Sequence, residues 1–450
     1  MHIFAIFLLL WILVIIFNKN NSYNKTIILL LSMASFLELF VNAGYFIKIA
    51  YYELKYSEFV VIILFFYILV IWLKKPIGLT LYKYLFYFIL FILINNILIY
   101  IMPYKYPVVV YGGESNWETY LLYGGEYLKF SKQVIMMNIR YLLFIFVAYV
   151  SITYCNNDDY EIGIDNFIKL ATMAVYYVLI ELICNYLGYG EQLTEIRNYI
   201  IGEASSTAGF FVRAHSFALS GLTLEPGHLA KALWILLLIY ILKQKYLKYP
   251  WIICVIFLIF MTTSFAGVLY IISIIFIFAT KSKNIKKKLL ILFLITIFIF
   301  VLLIIKPYLL YYNIERLNSV FTIFKLNDYT IGIGSETIRI LSIVVNYKVF
   351  IQNMFFGVGI GTVYSYSALI DILSTIGIVG TSILFSFYKH IIKTINGKIL
   401  LILSNILFVS VFIDGVDIFY SMYTILFFLS VKLMIINNDA ENYCNIYLKQ

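Results

Sequence analysis

Charge is what this chain has least of. Only 12% of its 450 residues are Asp, Glu, Lys or Arg, against 63% hydrophobic residues and a mean hydropathy of +0.95. A soluble protein of this length needs a charged surface that so few residues could not cover. The four cysteines (Cys155, Cys184, Cys254, Cys444) are scattered, with no CxxC or other metal spacing. Neither a disulfide framework nor a structural zinc site is expected, and no metal or other cofactor. Residues 1–17 are apolar but lack a basic segment before them and a small-residue cleavage site after them, so they read as a retained helix rather than a signal peptide. No long-period repeat and no soluble domain large enough to fold alone is visible, and a single membrane domain over 1–450 is expected.

What the chain has instead is apolar runs long enough to cross about 30 Å of hydrocarbon. They lie near 2–17, 26–47, 57–73, 81–102, 139–155, 166–187, 229–246, 250–264, 266–280, 288–306, 368–388, 398–413 and 418–436. The expected fold class is an all-α polytopic membrane protein of about 12–13 transmembrane helices. Lysine-bearing connectors alternate along the list: Lys19/Lys25, Lys74/Lys75/Lys83, Lys243/Lys245/Lys248, Lys281 to Lys288, and Lys389/Lys393/Lys398. Placing all five in the cytoplasm satisfies the positive-inside rule and leaves three external loops, 104–138, 188–228 and 307–367. The net charge of +10 reads as attraction to anionic lipid headgroups rather than to nucleic acid.

Arginine is used differently from lysine. Against 28 lysines there are five arginines, Arg140, Arg197, Arg213, Arg316 and Arg339, all on the expected outer side or its boundary. The planar guanidinium binds phosphate or carboxylate bidentately, so outward arginines suggest an anionic ligand. Chance placement with local ion pairs, such as Glu315 with Arg316, is the alternative.

Two loops carry the chemistry. The second ends in Arg213-Ala-His215-Ser-Phe-Ala-Leu-Ser-Gly-Leu-Thr-Leu-Glu225-Pro226-Gly227-His228 and runs into a helix. Pro226 suits an early helical position and Glu225 the positive end of the dipole. The same stretch gathers two histidines, a carboxylate and an arginine, groups that relay protons or hold phosphate. The third loop holds Glu336-Thr-Ile-Arg339, then Gly357-Val-Gly359-Ile-Gly361, Tyr366-Ser367 and Asp371. On a helix Arg339, Ser342, Asn346 and Asn353 share one face, the pattern of an amphipathic helix at the membrane interface. The glycines resemble a phosphate-cradling turn, yet no strand precedes them and no Lys-Ser/Thr follows, so a nucleotide loop is not expected. Two further features are open between function and structure. Tyr-Gly-Gly-Glu occurs at 111–114 and 123–126 with Trp117 and Tyr120 between, suited to sugar contact or to an interfacial aromatic belt. Glu38 and Glu181 lie within spans and are functional groups or helix-end or interhelical hydrogen-bonding groups.

Arg339, its eighteen-residue interval to the glycine turn, and the Ser367…Gly377-x-x-Gly380 segment resemble the C-terminal signature of bacterial O-antigen ligases and Wzy-type polysaccharide polymerases. Glu225-Pro226 and Thr262-Thr-Ser264-Phe-Ala-Gly267 resemble earlier landmarks of that family in the same order, so the resemblance covers roughly residues 205–380. It implies a membrane-embedded, metal-independent glycosyltransferase of GT-C-like architecture, acting on polyprenyl-pyrophosphate-linked oligosaccharides at the outer face of the bacterial cytoplasmic membrane. The ligase branch expects His-Asn or His-Ser where this chain has Tyr366-Ser367, which favours a polymerase. The resemblance assigns pyrophosphate binding to Arg339 and Arg213. Arg316 joins them as a third candidate. The base is to be sought among Glu225, His228 and His215. Gly357, Gly359, Gly361, Tyr366, Ser367 and Asp371 are expected to shape the loop or meet glycan. A chain-length regulator and a flippase are the expected protein partners. A lipid-linked oligosaccharide flippase and a non-catalytic scaffold are the competing readings; a transporter should show midplane charges, broken helices and inverted halves.

Overall fold

The computed structural model describes residues 2–18, 21–49, 52–74, 80–101, 104–110, 120, 125–128, 130–202, 211–213, 216–243, 248–281, 335–392, 400, 402–406, 409 and 421–447. The described chain is an all-α polytopic membrane protein. Six of its helices are long and apolar enough to cross a membrane, and five more are apolar but shorter. The expected run 288–306, residues 307–334 of the third loop with Arg316, and most of the expected run 398–413 lie outside the described residues.

In chain order the helices are α1 (Ile3–Phe17), α2 (Tyr23–Phe40), α3 (Tyr56–Lys74), α4 (Thr80–Ile101), α5 (Lys132–Tyr154), α6 (Asn157–Tyr186), α7 (Gly190–Ile201), α8 (Pro226–Lys243), α9 (Tyr249–Met261), α10 (Phe265–Lys281), α11 (Ser335–Gln352), α12 (Ala368–Ile392) and α13 (Met422–Tyr447). Two small hairpins interrupt them, β1 (Tyr45–Ile49) with β2 (Tyr52–Lys55) and β3 (Phe211–Arg213) with β4 (Ser216–Ala218), both antiparallel. Neither was expected. The first cuts short the apolar run 26–47, because Tyr, Phe and Ile alternating with Lys48 suit a strand as well as a helix.

The centre of the bundle is α2 and α8. Most of α2 is buried, against α3 on one side and α6 on the other. It approaches α6 so closely that a Cβ on Gly163 would sit 2.4 Å from Ile28 Cγ1, the small-residue contact on which membrane helices rely. From Leu229 to Leu242 every residue of α8 except Lys231 is buried. Its Trp234 stacks on Tyr270 of α10, ring centroids 4.7 Å apart, and donates to Ser273 Oγ at 3.3 Å. Ser273 Oγ in turn donates to Asn405 Oδ1 at 2.7 Å, and Asn405 returns a bond to the Ser273 carbonyl. A polar chain of this kind is tolerated in an apolar interior because each member has a partner.

Helix ends explain several charges. Asn156 and Asp159 form a capping box at the start of α6, each side chain accepting from the other's backbone N–H. The acidic cluster Asp158-Asp159 therefore sits at the positive end of a helix dipole. Glu38, near the end of α2, accepts from the backbone N–H of Met422 at 2.8 Å and so caps α13. The thirteen residues of α9 span only about 20 Å, less than the hydrocarbon thickness. Its C-terminus ends inside the bundle, where bare carbonyls are costly. Thr262 Oγ1 donates to the Ile259 carbonyl at 2.7 Å, and Leu219 N–H from the preceding loop donates to the Met261 carbonyl at 3.4 Å.

Candidate functional site

α12 is broken at Gly377, whose φ of 62° and ψ of −170° are not helical. A break in a membrane helix frees two carbonyls above it and two N–H groups below, each needing a partner. The glycine turn supplies all four. Val358 N–H donates to the Ser374 carbonyl at 2.8 Å and Gly359 N–H to the Thr375 carbonyl at 2.9 Å. In the other direction Ile378 N–H donates to the Met354 carbonyl at 2.9 Å and Val379 N–H to the Phe355 carbonyl at 3.0 Å. Residues 354–359 are thus spliced into the gap. Glycine is required on both sides: a Cβ on Gly377 would lie 2.4 Å from the Phe355 oxygen, and one on Gly357 would lie 2.5 Å from the Thr375 oxygen. The amides of Gly357, Val358 and Gly359 are all spent within the protein, so they do not cradle a phosphate. Gly361, also at positive φ (76°), continues the turn.

The splice holds α11 against the first half of α12, and with it Arg339. The polar stripe of α11 does not face a membrane interface as the periodicity suggested; it is turned inward. Ser342 and Asn346 are buried against residues 364–366. Ser342 Oγ donates to the Arg339 carbonyl at 2.8 Å and accepts from Tyr366 N–H at 3.1 Å. Asn346 Nδ2 donates to the carbonyls of Ser342 and Tyr364, at 2.8 and 3.0 Å. These bonds set Tyr366 beside Arg339, whose guanidinium lies 5.7 Å from the centre of the exposed Tyr366 ring, within cation–π range. Arg339 is half-buried. Burial pushes the neighbouring Tyr364 hydroxyl up to about 12, keeping it a neutral phenol. Ser367 caps α12 by accepting from Ile370 N–H, and buried Asp371 accepts from Ser365 N–H at 2.7 Å. Both residues build the 365–367 turn that carries Tyr366.

The first loop joins this region, which sequence reasoning missed. Val108 bridges Glu126, and Val110 bridges Val363. Tyr104 donates to Gln352 Oε1 at 2.6 Å at the far end of α11, and Tyr120 packs on the cluster of Val109 with Leu341 of α11. The only prior signal was the loop's aromatic and carboxylate content; most of its repeated Tyr-Gly-Gly-Glu lies outside the described residues.

The Glu225 region is held by a different device. Buried Glu181 of α6 accepts from the backbone N–H groups of Ser220 and Gly221 at 3.1 and 2.8 Å. Buried Arg197 of α7 donates to Ser220 Oγ at 3.2 Å and to the Gly221 carbonyl at 3.1 Å. Acid and base meet through one turn and pin the loop before α8. Thr223 Oγ1 donates to the carbonyls of Ser220 and Glu225, and the Glu225 carbonyl starts α8 by accepting from His228 and Leu229. The Glu225 carboxylate itself is exposed and has no partner among the described residues; His228, one turn on, is exposed as well. The two earlier landmarks meet here. A Cβ on Gly227 would lie 3.6 Å from Ser264 Oγ. Beside it, buried Thr263 has a φ of 52° and a hydroxyl unpartnered among the described residues, a strained setting for a β-branched residue.

The three described arginine side chains have different surroundings. Arg140 pairs with Glu58, Arg197 is structural, and Arg339 is half-buried beside Tyr366. Arg213 lies in β3 with its side chain outside the described residues, as are His215 and Arg316 entirely. No hydrogen bond, ion pair or ring contact among the described residues joins Glu225 to Arg339. No group of three or more His, Cys, Asp or Glu suited to a metal occurs among them either. No protein-family model and no curated protein sequence matches the chain.

Proposed function

We propose that the protein is an oligosaccharide repeat-unit polymerase, a glycosyltransferase that moves a glycan from a polyprenyl pyrophosphate onto a second lipid-linked repeat unit at the outer face of the bacterial cytoplasmic membrane. The observation that carries this reading is Arg339, a half-buried cation set over Tyr366 by a turn that α11 and a spliced helix hold in place. The acceptor hydroxyl attacks the anomeric carbon, its proton passes to a base, and the carbon–oxygen bond to the pyrophosphate breaks with the electron pair leaving on the phosphate. The pyrophosphate is already a good leaving group, so the protein must neutralise its developing charge and take the proton. Arg339 serves the first need, with Arg213 and Arg316 as further cations. Glu225 serves the second best, being exposed and unpartnered among the described residues, with His228 and His215 as rivals. Tyr366 and Tyr120 offer aromatic faces to sugar rings.

One observation favours a second reading. The broken α12 is a feature of transporters, where freed backbone groups coordinate the cargo. Here all four freed groups bond residues 354–359, which leaves none for a ligand and ranks a lipid-linked oligosaccharide flippase second. Deleting the gene and resolving surface polysaccharide on a gel separates the readings. A polymerase predicts loss of the long ladder with single repeat units still attached. A ligase predicts loss of all attachment with lipid-linked polymer accumulating, and a flippase predicts repeat units retained on the cytoplasmic side.

A further inference from the structure

Lys231 lies in the second turn of α8, inside a candidate membrane span. A charge at such a position is costly and marks function by default. Its ammonium sits 5.4 Å from the centre of the Tyr423 ring. Tyr423, with Trp234, Ile235 and Leu238 of α8, lines an apolar cavity of about 240 Å³. Lys231 precedes those three residues by three, four and seven positions, so one face of α8 carries the cation and then the cavity wall. Phe385 and Leu400 also line it and are 40% and 61% exposed, so the wall reaches the lipid-facing surface. An engineered dry cavity of about 150 Å³ already takes up benzene. A larger one with a cation at one end and a lipid-facing side is complementary to a single apolar chain bearing an anionic head.

The two candidate regions are built from different residues. Arg339 is carried by α11, which packs on α12, whereas the cavity lies among α8, α13, residues 400–406 and Phe385 of α12, with no residue of α11 in its wall. A repeat-unit polymerase handles two lipid-linked substrates, and Glu225 begins the same helix that carries Lys231. We infer that Lys231 and this cavity hold the acceptor: the ammonium engages the phosphate, and the first isoprene units fill the cavity. The identity of the chain rests on the polymerase reading.

The test uses the full chain in nanodiscs and a geranylgeranyl diphosphate carrying a terminal diazirine. Irradiation is expected to label peptides containing residues 231–238 and 423–428. Undecaprenyl phosphate should compete and an equal amount of phosphatidylglycerol should not. Lys231→Gln should cut labelling there about tenfold, Lys231→Arg should restore most of it, and Arg339→Lys should leave it within twofold. If Lys231→Gln does not fold, Leu238→Trp, which fills the cavity, keeps the question open to refutation by unchanged labelling. Labelling elsewhere, equal competition by phosphatidylglycerol, or equal loss in Arg339→Lys overturns the assignment. Cavity labelling in a protein that transfers no glycan sinks the polymerase reading and leaves a polyprenyl phosphate site standing. Transfer with an unlabelled cavity sinks the site alone.

Discussion

The Arg339 region and the Glu225 region both set irregular backbone into an apolar bundle, but they satisfy it in different currencies. Around Arg339 the partners are backbone groups: residues 354–359 fill the gap in α12, and the side chains contribute mainly Ser342 and Asn346. Around Glu225 the partners are charges, with Glu181 and Arg197 meeting through Ser220 and Gly221. A backbone splice depends on the absence of side chains and so demands glycine. A side-chain staple depends on an acid and a base that grip one turn, since removing either leaves buried polar groups of that turn short of a partner.

That contrast can be broken in order of expected effect. Gly377→Ala should be the most damaging change, because it combines positive φ with a Cβ 2.4 Å from the Phe355 oxygen. Loss of the monodisperse peak in detergent chromatography is expected, and a normal peak would refute the splice. Glu181→Leu removes one half of the staple and leaves Arg197 buried without compensation; a loss of about 3–5 kcal/mol is expected, read as a fall in melting temperature in detergent. Adding Arg197→Met should recover part of it, and strict additivity of the two losses would show the groups to be uncoupled. Arg339→Lys should leave stability unchanged yet lower polymer formation about 10²-fold, or about 2.7 kcal/mol of barrier. Normal polymer length at normal protein level would remove the bidentate pyrophosphate contact from the proposal. Arg140→Gln should matter least. Its pair with Glu58 is partly exposed, and such pairs contribute about 0–1 kcal/mol. A large activity loss there would mean that Arg140 had been wrongly set apart from Arg339.

How much could be read beforehand differs between the regions. The glycines at 357, 359, 361 and 377 and their spacing from Arg339 were visible, but their use was not. A GxGxG turn looks the same whether its amides face a phosphate or the carbonyls of a broken helix. The inward turn of Ser342 and Asn346 was likewise hidden, because periodicity reveals a polar face without revealing what covers it. In the other region, Glu181 was visible as a costly intramembrane acid, while its partner Arg197 was counted among outward cations. Thirty-nine residues separate Glu181 from Ser220, and no local pattern encodes such a pairing.

The amino-acid sequence alone was enough for the membrane class and the run of apolar helices, because burial in hydrocarbon is a property each segment carries in its own composition. It also sufficed for the residues with unusual chemistry. Only the tertiary structure decided which loops share a site: the first loop joins the Arg339 loop through Val110 and Val363, while the Glu225 loop is tied to Glu181 and to the Thr262–Ser264 turn. Those choices depend on backbone groups left over when helices end or break inside the bundle. Where a leftover carbonyl finds its partner is a matter of three-dimensional proximity, which residue type and spacing do not specify.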